Sequence, residues 1–208
     1  MPGTIICYGD SNTYGYDPRS FLGGRYTEEK RWPDILAART GWDVINCGKN
    51  GRCTPYFLPE IESVLNCLER WSAGSPPVWL WIMLGTNDLL HNPKFTAKTV
   101  TDRMERFLRK LMECEEIVSG KIRLRLISPV HLRRGVWVET DERCRESEKM
   151  DVYYQELAAE MGIAFSRAGK WDIPVLFDGV HFSEEGNLKF AECMIREMRD
   201  EMDGRRDK

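Results

Sequence analysis

The first eleven residues place the strongest constraint on what this chain can fold into. Residues Thr4 to Tyr8 form a short apolar, β-rich run that stops at Gly9-Asp10-Ser11. Such a run is typical of a buried strand that ends in a tight turn, and glycine permits the sharp change of direction. Ser11 then stands at the carboxyl end of the strand, the edge at which open α/β sheets bind ligands. It is either a candidate nucleophile or the cap of a following helix.

Strand-like and helix-like segments alternate along the rest of the chain. Further strands are predicted over residues 43–47, 78–84, 122–128 and 163–165, and helices over 31–40, 58–71, 97–118, 144–161 and after Ser183. This alternation predicts a three-layer α/β/α fold with a five-stranded parallel sheet. We expect the flavodoxin-like strand order 2-1-3-4-5, in which the loops after strands 1, 2 and 3 meet in one crevice.

Length and composition exclude several classes of protein. We interpret residues 1–208 as a single domain. A net charge of −3 with scattered basic residues argues against a nucleic-acid surface. No segment has the 18 apolar residues of a membrane span, and strand 1 begins too early to leave room for a signal peptide. Seven cysteines without paired short spacings predict neither a disulfide framework nor a zinc site. We therefore expect a cytoplasmic protein without metal or cofactor.

Polar residues with complementary chemistry stand at predicted strand ends and in the last loop. An acyl-transfer site needs a nucleophile, a base, a group that orients the base, and N–H donors for the oxyanion. His181 can be the base for Ser11, with Asp178 holding its other ring nitrogen. The Asn87 amide and the Ser11 N–H can donate to the oxyanion. A further N–H would come from the loop after strand 2, where Gly51 allows close approach.

Each of these features also has an ordinary structural explanation. A lone histidine is more often structural, and Gly85-Thr86-Asn87-Asp88 could equally be a turn that caps a helix. Gly48 and Gly51 could be simple turn glycines. The joint arrangement, in this order and at these strand ends, favours a catalytic site.

The same residues resemble the four sequence blocks of the SGNH/GDSL hydrolases across nearly the whole chain. The blocks are Gly9-Asp10-Ser11-Asn12, Gly48 to Gly51, Gly85-Thr86-Asn87-Asp88 and Asp178-Gly179-Val180-His181. The resemblance implies that Ser11 is the nucleophile, His181 the base and Asp178 its orienter. It also implies an oxyanion hole of Ser11, Gly51 and Asn87, although Gly48 could be aligned in place of Gly51. Asn12 departs from the leucine of the family's name.

Further residues, among them Arg31-Trp32, resemble the arylesterase-like branch of this family. That branch includes esterases that also transfer acyl groups to alcohols, and its members tend to form oligomers. The resemblance implies a serine esterase that hydrolyses small carboxylic esters. Several side chains could supply its substrate pocket. These candidates are Asn12, Tyr14, Tyr16, Trp32 and His131.

Two other functions stay open. The nearest is an O-deacetylase of sugar chains from the same family. A flavodoxin-like module that binds a phosphorylated ligand without catalysis belongs to a different class. The Asp10 carboxylate would repel a phosphate after strand 1, and the chain lacks the G-x-x-x-x-G-K-[ST] motif.

Residues 129–143 are too long for an ordinary connection after strand 4, which takes about 2–6 residues. They carry Val136, Trp137 and Val138 among arginines, and Trp and Arg are enriched at protein contacts. We predict a homo-oligomer in which this segment contacts a neighbour and helps to wall the neighbour's or its own active-site mouth. Alternatively, Trp137 folds back on its own domain as a lid.

Overall fold

The computed structural model describes residues 3–20 and 24–203 and contains a five-stranded parallel sheet. Its strands, in spatial order, are β2 (Asp43–Gly48), β1 (Thr4–Gly9), β3 (Val78–Met83), β4 (Ile122–Ile127) and β5 (Ala164–Ser166). This confirms the predicted order 2-1-3-4-5.

Eight α-helices accompany these strands in the described part of the chain. They are α1 (Ser11–Tyr14), α2 (Trp32–Thr40), α3 (Leu58–Ser72), α4 (Thr86–His91), α5 (Ala97–Met112), α6 (Glu115–Val118), α7 (Asp141–Met161) and α8 (Glu184–Asp203). The helix predicted over 97–118 is interrupted, because Cys114 is extended and α6 starts again after it. This break lets Ile117 pack against the core.

The sheet is buried between two apolar layers because side chains alternate along each strand. Ile6 of β1 belongs to the core under α3, α5 and α7, whereas Ile5 belongs to the core under α2 and α8. Within the residues described here, no helix combines the length and the apolarity needed to cross a membrane.

Trp32 belongs to this core, which corrects its prediction as a pocket residue. It is the first residue of α2 and is 1% exposed. Its ring lies 4.9 Å from that of Phe190 in α8. Burial of this large aromatic surface joins the two helices and keeps Trp32 away from solvent.

Candidate active site

The carboxyl ends of β1, β2 and β3 lie level with one another. Gly9, the last residue of β1, is paired with Gly48 of β2 and with Met83 of β3. The chain therefore leaves three neighbouring strands at the same edge of the sheet. This register brings the segments after the three strands to one place, as the sequence predicts.

A tight turn after β1 presents Ser11 at that edge. Asp10 is the N-cap of α1, and its Oδ1 accepts a hydrogen bond from the Asn12 N–H at 3.0 Å. Ser11 is thus the first residue of the helix rather than its cap. A Cβ on Gly9 would lie 2.1 Å from the Thr13 Oγ1, so the turn requires glycine. Burial raises the pKa of Asp10 to about 6, against the lowering effect of the Asn12 N–H.

Ser11, His181 and Asp178 form a continuous hydrogen-bonded series. The Ser11 Oγ lies 2.9 Å from the His181 Nε2, and the His181 Nδ1 lies 2.7 Å from the Asp178 Oδ2. The other carboxylate oxygen of Asp178 accepts from the Val180 and His181 N–H groups, both at 2.9 Å. Burial alone would raise the pKa of Asp178, but these hydrogen bonds hold it below its ordinary value. Asp178 therefore stays ionised and can orient the imidazole.

Asn12 links the segment around His181 to α1. Its Nδ2 donates to the Val180 carbonyl at 3.1 Å, and its Oδ1 accepts from the Phe182 N–H at 2.9 Å. The side chain therefore spans the two neighbours of His181. Both ends of its amide are bonded to the backbone, so Asn12 supports the position of His181, and its role in the substrate pocket stays a prediction. A leucine could make neither bond.

The two glycines after β2 have different surroundings. The Gly48 N–H donates to the Asn46 Oδ1 at 2.9 Å, and a Cβ on Gly48 would lie 2.1 Å from the Tyr14 nitrogen. Gly48 thus permits β2 to pack against α1. Gly51 has a φ of +70°, and its N–H meets no acceptor among residues 3–20 and 24–203. Of the two, only Gly51 has an amide available to a ligand.

Asn87 and Arg52 link the loops after β3 and β2. The Asn87 Nδ2 donates to the Arg52 carbonyl at 3.1 Å, which leaves its second N–H for a ligand. The Arg52 Nη1 donates to the Gly9 carbonyl at 2.8 Å and to the Cys47 carbonyl. Its guanidinium lies 4.1 Å from the centre of the Tyr8 ring. Arg52 therefore joins the ends of β1 and β2 to Asn87.

Arg52 was not among the residues predicted for the site. Its only signal was an arginine beside Gly51 in a loop at a strand end. Asp88, the neighbour of Asn87, also links the loops after β2 and β3, because its Oδ2 accepts a hydrogen bond from the Thr54 N–H at 2.8 Å. Burial raises the pKa of Asp88, although this N–H and the nearby Arg103 act in the opposite direction.

Two aromatic rings flank the catalytic candidate His181. The Tyr16 ring centre lies 4.7 Å from that of the imidazole, and the Trp137 ring centre lies 4.9 Å from it. The structure therefore brings Tyr16, a predicted pocket residue, to the site. Trp137 contacts the His181 and Tyr16 rings of its own chain, and the homo-oligomer stays a prediction.

Two further pocket candidates each contact a charged residue of the same chain. Tyr14 is covered by the Arg25 guanidinium, 4.3 Å from its ring centre, which also donates to the Tyr14 carbonyl. His131 faces the buried carboxylate of Asp151, with 3.8 Å between its Nε2 and the Oδ2. Neither contact involves His181, and a role of Tyr14 or His131 in the substrate pocket stays a prediction.

A serine, a histidine and a carboxylate lie in line at the carboxyl edge of a parallel sheet. This arrangement is suited to acyl transfer. It is characteristic of a class of hydrolases that includes esterases. The model of the GDSL-like lipase/acylhydrolase family matches residues 7–189. The chain belongs to this family, which confirms the resemblance to the SGNH/GDSL hydrolases, and it is an esterase or acylhydrolase.

Solved structures with this fold cover almost the whole chain. A proposed arylesterase from Agrobacterium tumefaciens is 27% identical, with a TM-score of 0.79 over 96% of this chain and 99% of its own. A carbohydrate acetylesterase family member from Sinorhizobium meliloti is 25% identical, with a TM-score of 0.79 over 96% and 98%. The aryl esterase of M. smegmatis, 23% identical, shares the fold with a TM-score of 0.78 over 95% and 98%. No curated protein matches the sequence.

Proposed function

We propose that this protein is a serine esterase that hydrolyses small carboxylic esters through an acyl-enzyme on Ser11. One observation carries the proposal: the Ser11 Oγ lies 2.9 Å from the His181 Nε2, while the His181 Nδ1 lies 2.7 Å from the Asp178 Oδ2. A nucleophile in contact with a base, itself oriented by a carboxylate, is the arrangement that activates a serine hydroxyl.

In the first step, the His181 Nε2 takes the proton of Ser11 while the Oγ attacks the ester carbonyl. The carbonyl oxygen becomes an oxyanion that meets the Ser11 N–H, the Gly51 N–H and the second N–H of Asn87. Collapse of this intermediate breaks the bond to the alcohol. His181 then gives its proton to the departing alkoxide, which leaves an acyl group on Ser11.

In the second step, water takes the place of the alcohol and His181 accepts its proton. Attack on the acyl-enzyme releases the carboxylic acid and returns the proton to Ser11. An alcohol that occupied the position of this water would receive the acyl group instead. The same acyl-enzyme would thus transfer its acyl group to an alcohol as a side activity.

A fluorophosphonate probe tests the proposal directly. We expect one covalent adduct per chain, mapped to Ser11 by peptide mass spectrometry, and loss of both adduct and ester turnover in Ser11→Ala. Ser119→Ala is the matched control, because Ser119 is exposed after α6 and its hydroxyl donates to the Glu115 carbonyl of the same helix. A folded wild-type protein that takes no label on Ser11 would instead be a binding module.

A sugar-chain O-deacetylase is the second candidate. Its support is the similarity to the S. meliloti carbohydrate acetylesterase family member. A panel of p-nitrophenyl esters of increasing chain length, with acetylated xylo-oligosaccharides beside it, separates the two functions. Turnover of the acetylated oligosaccharides well above that of all simple esters would favour the deacetylase.

A further inference from the structure

We propose that Tyr16 and Trp137 bind the alcohol portion of the ester, and that this portion carries a ring with a flat apolar face. The inference rests on the proposed function. It assigns the two aromatic side chains to the leaving group and not to the acyl chain.

Both rings pack against the imidazole. Tyr16 lies at an interplanar angle of 57° to the His181 ring, and Trp137 meets it edge-on at 84°. The Tyr16 and Trp137 rings are 6.4 Å apart and tilted by 31°. His181 is buried, yet Trp137 itself is 50% exposed. A large aromatic surface therefore remains open to solvent directly beside the catalytic candidate.

The position of Trp137 is set by the main chain. Its N–H donates to the Asp178 carbonyl at 3.1 Å, and the Val136 N–H donates to the Phe177 carbonyl at 3.1 Å. Gly135 lies so close to the Asp178 backbone that a Cβ on Gly135 would be 2.4 Å from the Asp178 carbonyl carbon. Val138, at the other end of the turn, is fully buried. These backbone contacts fix the position of Trp137 next to Asp178, although the indole itself is half exposed.

The chemistry decides which half of the ester meets these rings. His181 must donate its proton to the leaving oxygen, so that oxygen has to come within hydrogen-bond distance of the Nε2. The carbonyl oxygen points instead to the donors Gly51 and Asn87, in the loops after β2 and β3. Side chains that pack around the imidazole therefore border the alcohol, whereas those near Gly51 border the carbonyl.

The surface selects its ligand by shape. Two aromatic faces offer an apolar contact to an aryl ring or to the C–H face of a sugar ring. A linear alkyl alcohol covers less of both rings and loses more rotamer freedom when it is held there. Both kinds of ring-bearing alcohol share this chemistry, and the substrates below distinguish them.

The test compares kcat/KM for three acetates in wild type and Trp137→Ala. They are benzyl acetate, a monoacetylated methyl xyloside and n-butyl acetate as the linear reference. The acyl group is constant, and kcat/KM reports the step in which the alcohol leaves even where deacylation limits kcat. We expect Trp137→Ala to lower the value for at least one ring-bearing substrate about tenfold, and that for n-butyl acetate less than about threefold. The more affected ring identifies the alcohol as aryl or sugar.

Two variants complete the test. Trp137→Phe keeps an aromatic face and should retain most of the preference for the ring. Phe177→Ala is the matched control, because Phe177 is 59% exposed in the neighbouring segment and its backbone bond to Val136 survives the change. It should change the three values by less than about twofold, since its ring is not among the described rings packed on His181.

An equal loss on all three acetates in Trp137→Ala would overturn the inference, because Trp137 would then support His181 without contacting the alcohol. A changed preference between ethyl acetate and ethyl hexanoate would also overturn it, by placing the ring on the acyl side. Both results leave an active enzyme and therefore the proposed function intact. Wild-type protein that cleaves none of these esters and takes no label on Ser11 would reject the proposed function itself.

Discussion

The side-chain amide of Asn87 donates a hydrogen bond to the backbone carbonyl of Arg52 at 3.1 Å. One N–H of the amide is thereby fixed, so the direction of the other is fixed as well. The same Arg52 reaches back to the Gly9 carbonyl at 2.8 Å, two residues before Ser11. The turn that carries Ser11 and two of the proposed oxyanion donors, Gly51 and Asn87, are therefore connected through one arginine.

Asn87→Ala should lower kcat by about 100- to 1,000-fold, the loss expected for one oxyanion donor. KM should change much less, because the amide meets a charge that exists only in the transition state. Steady-state kinetics on a p-nitrophenyl ester measures both constants. Asn66→Ala, on the exposed side of α3, is the control and should leave both unchanged. If KM rises while kcat holds, Asn87 binds the ground state and is no oxyanion donor.

Arg52→Gln should lower kcat about 10- to 100-fold with little change in KM, because a small displacement of Gly51 and Asn87 is enough to misalign the oxyanion hole. Arg52→Lys should recover part of the loss, since it restores the charge near the Gly9 carbonyl but not the flat contact with Tyr8. Arg70→Gln is the matched control, because Arg70 is exposed on the solvent side of α3.

A double-mutant cycle shows whether Arg52 is a positioning residue or only supports the fold. If Arg52 acts through Asn87, the kcat losses of Arg52→Gln and Asn87→Ala should be less than multiplicative. A fully multiplicative loss, or a fall in melting temperature with kcat per folded molecule unchanged, would contradict the positioning role.

Asp10 should make the protein less stable as the pH rises from about 4 to about 6. Its pKa is raised from 3.8 to about 6 by burial, so the folded state holds the proton more tightly than the unfolded state does. The favourable contribution is complete below the unfolded pKa and is lost as the pH passes the folded one. The full difference is on the order of 3 kcal/mol in the free energy of unfolding.

Asp10→Asn isolates this contribution, because asparagine is also a good N-cap but cannot ionise. The free energies of unfolding of variant and wild type, from urea titrations at several pH values, should diverge in favour of the variant between about pH 4 and pH 6.5. Asp172→Asn, at an exposed carboxylate, is the comparison. A difference that stays constant across this range would show that Asp10 is not the group that titrates.

The predicted homo-oligomer concerns the segment that carries Val136, Trp137 and Val138. Val136 and Trp137 are 66% and 50% exposed, whereas Val138 is fully buried and cannot take part in a contact. An apolar surface of this kind favours association. Light scattering at micromolar concentration should detect a species larger than the 24.2 kDa chain. Val136→Asp should weaken the assembly, because it places a charge in the contact.

Val118→Asp is the control for this prediction, since Val118 is 69% exposed at the end of α6. It should leave the assembly unchanged. A monodisperse 24.2 kDa species in the wild type would reject the oligomer. An assembly that Val136→Asp does not alter would mean that the interface lies elsewhere on the protein.

The strand order and the edge that carries the site could be predicted from the sequence because their signals are local. Apolar runs of strand length, the helical spacing between them and the turns after Gly9 and Gly85 are each contained in a few neighbouring residues. The right-handed, parallel connection of such units then leaves few topologies. The order of the motifs along the chain predicted which residues meet, and Ser11, His181 and Asp178 lie within hydrogen-bond distance.

Only the tertiary structure decided where the remaining side chains point. Asn12 is bonded to residues 168 and 170 positions away, and Trp32 faces Phe190 of the last helix. Arg52 draws its role from the ends of β1 and β2 together. The direction of such a side chain depends on packing against residues that are distant in the sequence. The hydrophobic periodicity of the chain carries no information about that packing. Residue type and spacing determined the chemistry available to this protein, and packing decided which atoms could take part in it.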